Sequence, residues 1–228
     1  MSEFILMLTR NDETVPDARA LYEKLAASGV SHFGCKDIGL LSPELKALLA
    51  DMRSNGHTSY LEVVSETREA TLESARVAVD VTPDYLIGGT LIEPIQQLIA
   101  GSPLRFFPYI GHVIGHPCLL RGAIDEITAD ARTAEAAGVD GINLLAYRYD
   151  GDVSGLVRAV SAATVLPVIS AGSIDSLERV RAMVELGVTA FTIGTAVLDR
   201  ALVAGGSLED QVEAVLETVA ASAPEGVP

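Results

Sequence analysis

Eight times along the chain, a short apolar run rich in β-branched residues is followed by an amphipathic stretch with apolar positions three or four apart. No other feature of the sequence limits the fold so tightly. The strand-like runs fall at 4–9, 32–37, 59–65, 85–89, 104–110, 141–147, 167–171 and 190–194. Several of the helical stretches between them close on glycine, at Gly29, Gly56, Gly101, Gly138 and Gly187. A left-handed residue just past the last periodic position is the usual helix stop. Eight such units in 228 residues leave only short connections. The pattern predicts an α/β fold, a single (β/α)8 TIM-barrel domain over 1–228 with parallel strands inside a ring of helices. An open doubly wound sheet is the alternative. It usually has fewer units and often a glycine-rich first turn, whereas the first turn here reads TRNDETVP. The last residues, 221–228, are expected to form a flexible tail.

Charge narrows the partners. The formal net charge is -15, from 31 acidic and 16 basic residues, and no Lys/Arg stripe interrupts it. Such a chain is a poor match for nucleic acid or an anionic membrane surface. Without tryptophan, and with 5% aromatic residues, the core must rest on Val, Leu, Ile and Ala. Two cysteines, Cys35 and Cys118, make no disulfide framework. MSEFILMLTR carries Glu3 and lacks a basic leading region, so it reads as a first strand and not a signal peptide. No apolar run reaches the roughly 18–20 residues of a membrane span. A reduced, cytoplasmic setting is expected. The sequence leaves homodimer formation open.

In a barrel of this kind the loops after the strands form the reactive face, and those after strands seven and eight commonly hold a phosphate. Strand seven runs into ISAGSIDS and strand eight into FTIGTAV. Gly172 and Ser173, with Gly194 and Thr195, are therefore expected to turn backbone N–H groups toward one anion, helped by the helix starts that follow. Small residues suit this, because several donors converge at hydrogen-bond distance only where no Cβ intervenes. The same residues would also serve as plain strand-to-helix turns.

The stretch VLPVISAGSIDSLERVRAMVELGVTAFTIGTAVLDR resembles the last quarter of the ribulose-phosphate-binding barrels, a superfamily of phosphosugar isomerases, epimerases and lyases. IDEITADARTAEAAGVDGINLLAYRYDGD is similar in layout to the sixth unit of the N-acylglucosamine-6-phosphate 2-epimerase family. The resemblance covers about the C-terminal half. It implies the barrel and the phosphate cradle. It does not carry the epimerisation over. The family's catalytic Glu before the glycine of strand seven is Ala171 here, and its catalytic Lys on strand three is Glu62.

Side-chain alternation supplies candidates for the chemistry. If Phe33 and Cys35 face the helices, then His32, Gly34 and Lys36 face the lumen. If Leu61 and Val63 face the helices, Tyr60 and Glu62 face inward. Lys36 and Glu62 would then meet over the barrel mouth. A desolvated lysine can act as base or imine-forming nucleophile, and a neighbouring carboxylate can hold its proton. The same pair would also serve as an ion pair closing the lumen. GHVIGHPC places His112, His116 and Cys118 after strand five. A metal site is conceivable there, but the loop spacing fixes little geometry, so His112 is read as a single general acid or base. Arg10, Asn143, Tyr147 and Arg148 fall at strand ends, where they suit substrate hydroxyls or a carboxylate. No cofactor or metal is expected. The resulting expectation is an isomerase, epimerase or aldolase-type lyase acting next to a carbonyl on a small phosphorylated sugar or sugar acid. The rival is a non-catalytic barrel that senses a phosphorylated metabolite.

Overall fold

A computed structural model describes residues 2–222. The barrel strands are β1 (Glu3–Met7), β2 (His32–Lys36), β3 (Thr58–Val63), β4 (Tyr85–Gly88), β5 (Arg105–Phe107), β6 (Ile142–Leu144), β7 (Val168–Ser170) and β8 (Ala190–Ile193). They form one parallel sheet in the order β6-β7-β8-β1-β2-β3-β4-β5. The two ends of that order meet through a parallel bridge between Tyr109 and Asn143, where Asn143 N–H donates to the Pro108 carbonyl at 2.9 Å. The single α/β barrel expected from the eightfold alternation is the fold observed. No helix among the described residues is long and apolar enough to cross a membrane.

Around the sheet run α1 (Ala18–Leu25), α2 (Ser42–Ser54), α3 (Arg68–Val81), α4 (Ile92–Ile99), α5 (Ile124–Ala136), α6 (Val153–Ala163), α7 (Leu177–Glu185), the short α8 (Thr195–Leu198) and α9 (Leu208–Ser222). Of the expected tail, 221–222 belong to α9, and 223–228 lie outside the described residues. The main core lies between sheet and helices and takes in Phe33, Cys35, Leu61 and Val63, the positions that alternation turns outward. A smaller core fills the lumen with Ile5, Met7, Tyr60, Ile87, Phe107, Ile169 and Ala190.

Two small hairpins stand on the C-terminal rim. In the first, Thr9–Arg10 pairs with Glu13–Thr14 around a loop of only Asn11 and Asp12, with φ of 51° and 66°. Two central residues with positive φ make a type I′ turn, the two-residue connection whose twist matches paired strands. In the second, His112–Ile114 pairs with Leu119–Arg121. The run at 4–9 is thus divided, the barrel strand stopping at Met7 and Thr9 entering the first hairpin. The run at 104–110 stays with the barrel through Tyr109, and the second hairpin begins beyond it.

Candidate active site

The first hairpin carries Asp12 back over the barrel mouth, and the site is built around its carboxylate. Asp12, Lys36 and Glu62 are 4%, 6% and 2% exposed, low enough that each charge must find a partner inside the protein. Lys36 and Glu62 are directly paired across β2 and β3. Lys36 Nζ lies 3.0 Å from Glu62 Oε2 and donates to Asp12 Oδ1 at 2.8 Å. Arg148, in the turn after β6, grips Asp12 with both Nη atoms; Nη2 reaches Oδ1 at 2.6 Å and Nη1 reaches Oδ2. Cys118 N–H donates to Asp12 Oδ2 at 3.0 Å, and the Cys118 carbonyl accepts from Arg148 at 3.0 Å. On the far side, Glu62 Oε1 accepts from Tyr109 Oη at 2.7 Å and from Asn143 Nδ2 at 3.0 Å. Two cations and two carboxylates thus close into one neutral, hydrogen-bonded cluster.

That cluster sets the protonation states. Burial alone would raise the Asp12 carboxyl, but the Arg148 hydrogen bonds and the Lys36 charge hold it far below the usual carboxylate range. Burial would likewise favour a neutral Lys36; Glu62 and Asp12 outweigh it and hold the ammonium above its ordinary value. The two adjacent carboxylates thus favour the ammonium form of Lys36 over the imine-forming amine considered from sequence. Tyr109 is pushed well up, first by burial and then by Glu62, so its hydroxyl remains a donor.

Above this floor opens a cavity of about 570 Å³. Its lining includes Lys36, Glu62, Asp12, Arg148, Tyr147, Gly172, Ser173, Gly194 and Thr195. Among the described residues, the N–H groups of Gly172, Ser173, Gly194 and Thr195 donate to no backbone carbonyl. Gly172 and Ser173 both have positive φ, 79° and 57°. Arg179 of α7 takes the Ser173 carbonyl at 2.6 Å and lies 4.6 Å over the Tyr147 ring, which ties that turn to the wall of the site. Thr195 Oγ1 accepts from Asn11 N–H at 3.2 Å, tying the β8 turn to the first hairpin.

The glycines in these turns answer to the protein's own atoms. A Cβ on Gly172 would sit 2.5 Å from Arg148 Nε. One on Gly194 would sit 2.6 Å from Thr9 Oγ1 and 2.8 Å from the Thr9 carbonyl oxygen. Close backbone approach is required at both positions, but what approaches is Arg148 and the exit of β1.

Other candidates are placed elsewhere. His112 is exposed on the second hairpin, opposite Arg121, and does not line the cavity. It follows the fifth barrel strand, and the pairing of 112–114 with 119–121 holds it on the rim, away from the cavity. His116 is exposed and Cys118 is buried; among the described residues no three metal-binding side chains gather in one place. Arg10 is not in the lining either; it pairs with Asp199 at the rim at 2.7 Å. The other acids that line the cavity at its rim are also paired, Asp175 with Arg179 at 2.9 Å and Asp150 with Arg121 at 3.7 Å. Asn143 reaches the cluster through Glu62 and does not line the cavity. Asp12 and Tyr109 are the members of the cluster that the sequence reading passes over. The Asn-Asp pair between Thr-Arg and Glu-Thr was the available signal for the first, since both residues accept left-handed backbone.

No family model matches the chain. Over 138 residues it is 29% identical to the protein of Enterobacter sp. (strain 638) named "Putative N-acetylmannosamine-6-phosphate 2-epimerase", a match covering 56% of this chain and 57% of that protein. The chain thus spans little more than half the length of the curated relative it matches. Among solved structures it resembles the tryptophan synthase alpha chain from Legionella pneumophila subsp. pneumophila, with TM-score 0.67 and 12% identity over 97% of this chain and 91% of that one. It also resembles QR15, an aldolase, with TM-score 0.66 and 13% identity over 94% and 96% of the two chains. At such identities the structures speak for the fold alone. They share the (β/α)8 fold, and the curated match agrees with the resemblance to the ribulose-phosphate-binding barrels read from the sequence.

Proposed function

We propose that the chain is an enzyme of a small phosphorylated sugar or sugar acid, moving a proton at a carbon next to a carbonyl. Isomerisation and epimerisation begin from that step; retro-aldol cleavage reaches the same kind of enolate by losing a hydroxyl proton and breaking the neighbouring C–C bond. The observation that carries this reading is the Lys36 ammonium, held between Asp12 and Glu62 on the floor of a cavity whose wall includes the turns after β7 and β8. When a C–H bond beside a carbonyl gives up its proton, the electron pair moves toward the carbonyl oxygen. A fixed cation on a buried floor stabilises that oxygen more as its charge grows. Glu62 Oε2, 3.0 Å from Nζ, is the nearby carboxylate that takes and returns the proton. The free N–H groups of Gly172, Ser173, Gly194 and Thr195 suit the phosphate, which needs several donors from bare backbone. The name of the curated relative, a 2-epimerase of a phosphorylated amino sugar, agrees with the substrate class.

A sensor is the second reading, and one observation favours it: every charge in the cluster is already paired, so the floor is complete without a substrate. Proton exchange separates the two. A panel of phosphorylated aldoses, ketoses and sugar acids is incubated with the protein in D₂O and followed by NMR. At least one compound is expected to gain deuterium next to its carbonyl. Lys36→Met should cut that rate at least about 100-fold, the scale of a lost charge-stabilising donor, while binding persists. Binding without exchange in the unaltered protein would favour the sensor. No phosphorylated compound raising the melting temperature would sink both.

A further inference from the structure

A lysine on the floor of a carbonyl site has two incompatible uses. As an amine it attacks the carbonyl carbon and loses water to form an imine; as an ammonium it only donates hydrogen bonds and charge. The neighbouring charges decide between them. Five elements bring titratable or charged groups toward Lys36: Asp12 from the first hairpin, Glu62 from β3, Tyr109 beyond β5, Cys118 from the second hairpin region and Arg148 after β6. Burial keeps the Tyr109 hydroxyl and the Cys118 thiol neutral, the latter pushed up to about 11. What remains is Lys36 and Arg148 against Asp12 and Glu62. Without the charge of Asp12 the cluster would hold one positive charge in excess, with little water to screen it. Repulsion from Arg148 would then favour the neutral amine.

We propose that Asp12 is the positioning residue that decides what Lys36 can do: reaching down from the hairpin to Nζ, it keeps Lys36 a charge donor and withholds it from covalent chemistry with carbonyl compounds. This rests on reading the cavity as a carbonyl site, but its test needs no substrate, so the two stand or fall separately. Lys24 and Lys46, the other lysines of the sequence, are exposed and serve as internal references.

The probe is formaldehyde with cyanoborohydride. Nζ attacks the formaldehyde carbon, water leaves to give an imine, and hydride from cyanoborohydride with a solvent proton reduces it to the methylamine. Peptide mass spectrometry reads each lysine across a pH series. In the unaltered protein Lys24 and Lys46 should react at pH 8 while Lys36 stays unmodified. Asp12→Asn should raise the Lys36 rate at that pH at least about tenfold, the increment for one unit of pKa, and move the alkaline midpoint of its profile downward. Asp12→Glu, which keeps the charge, should restore protection. A uniform rise at every pH with an unmoved midpoint would mean the substitution only opened access, and would overturn the proposal. So would Lys36 reacting alongside Lys24 in the unaltered protein. If Asp12→Asn does not fold, Asp12→Gly accepts the same positive φ and must give the same shift.

Discussion

The two ends of the barrel lumen are built from the same strands, two residues apart, and are closed by different physics. Toward the N-terminal end the lumen is filled by shape. Tyr60 and Tyr85 stack at 4.6 Å, Phe107 meets Tyr85 edge-on at 5.5 Å, and Ile5, Ile87, Ile169 and Ala190 pack around them. His32 reaches the Tyr60 hydroxyl at 2.9 Å. Two positions further along β2 and β3, aromatic packing gives way to Lys36 and Glu62, and the lumen is closed by charge. A hollow of about 610 Å³ also lies outside the N-terminal end, but Tyr85 and Arg105 line it, with the guanidinium 5.3 Å over the ring. One end is therefore a plug. The other is a paired but polar floor under a cavity, and there a buried cation, Lys36, faces the open space.

The largest effects should come from breaking each closure. Arg148→Met removes both guanidinium contacts to a buried carboxylate and is expected to lower stability by about 3–5 kcal/mol, read from urea unfolding. Phe107→Ala should lower it by a similar 3–5 kcal/mol through a cavity in the plug. The pair sharpens the comparison, because only the first should also move the pH profile of Lys36 labelling. A shift with Phe107→Ala would mean that the two ends are not independent.

Acid should dissect the ends in turn. Burial, the main influence, lowers the folded His32 pKa despite an opposing contribution from Glu3, so the unfolded chain binds that proton more readily. The stability this group contributes is present above about pH 6.5 and is lost as pH falls below it. Asp12 is depressed as well, so its contribution is present above about pH 3.9 and is lost only below that. Lys36 is raised, so its share is present below about pH 10.4 and is lost as pH rises further. Melting temperature against pH should therefore fall first through the plug and later through the floor. His32→Gln should remove the first slope and Asp12→Asn the second. The smallest of these effects is expected for Gly172→Ala, about 1–2 kcal/mol, from positive φ and the contact with Arg148. No loss at all would mean that Arg148 is free to move away from the β7 turn.

The eight strands were legible because apolar periodicity is a local property, and so was the meeting of Lys36 and Glu62, which follows from alternation on neighbouring strands. Asp12 was not, because its role depends on a two-residue turn folding the chain back over the mouth to meet Arg148, 136 residues away. His112 misled for a related reason: antiparallel pairing within the rim, which barrel periodicity does not encode, turned it to solvent. The glycines at 172 and 194 were read as room for an anion at bare backbone; the atoms that crowd them are those of Arg148 and Thr9, which sequence could not place there.

The most direct test of the proposed site is a crystal structure with inorganic phosphate bound. The anion is expected against the N–H groups of Gly172, Ser173, Gly194 and Thr195, with the Lys36 ammonium still paired to Asp12 and Glu62 at the other side of the cavity. Phosphate seated instead on Arg148 with Asp12 displaced, or nowhere in the cavity, would contradict the proposed site.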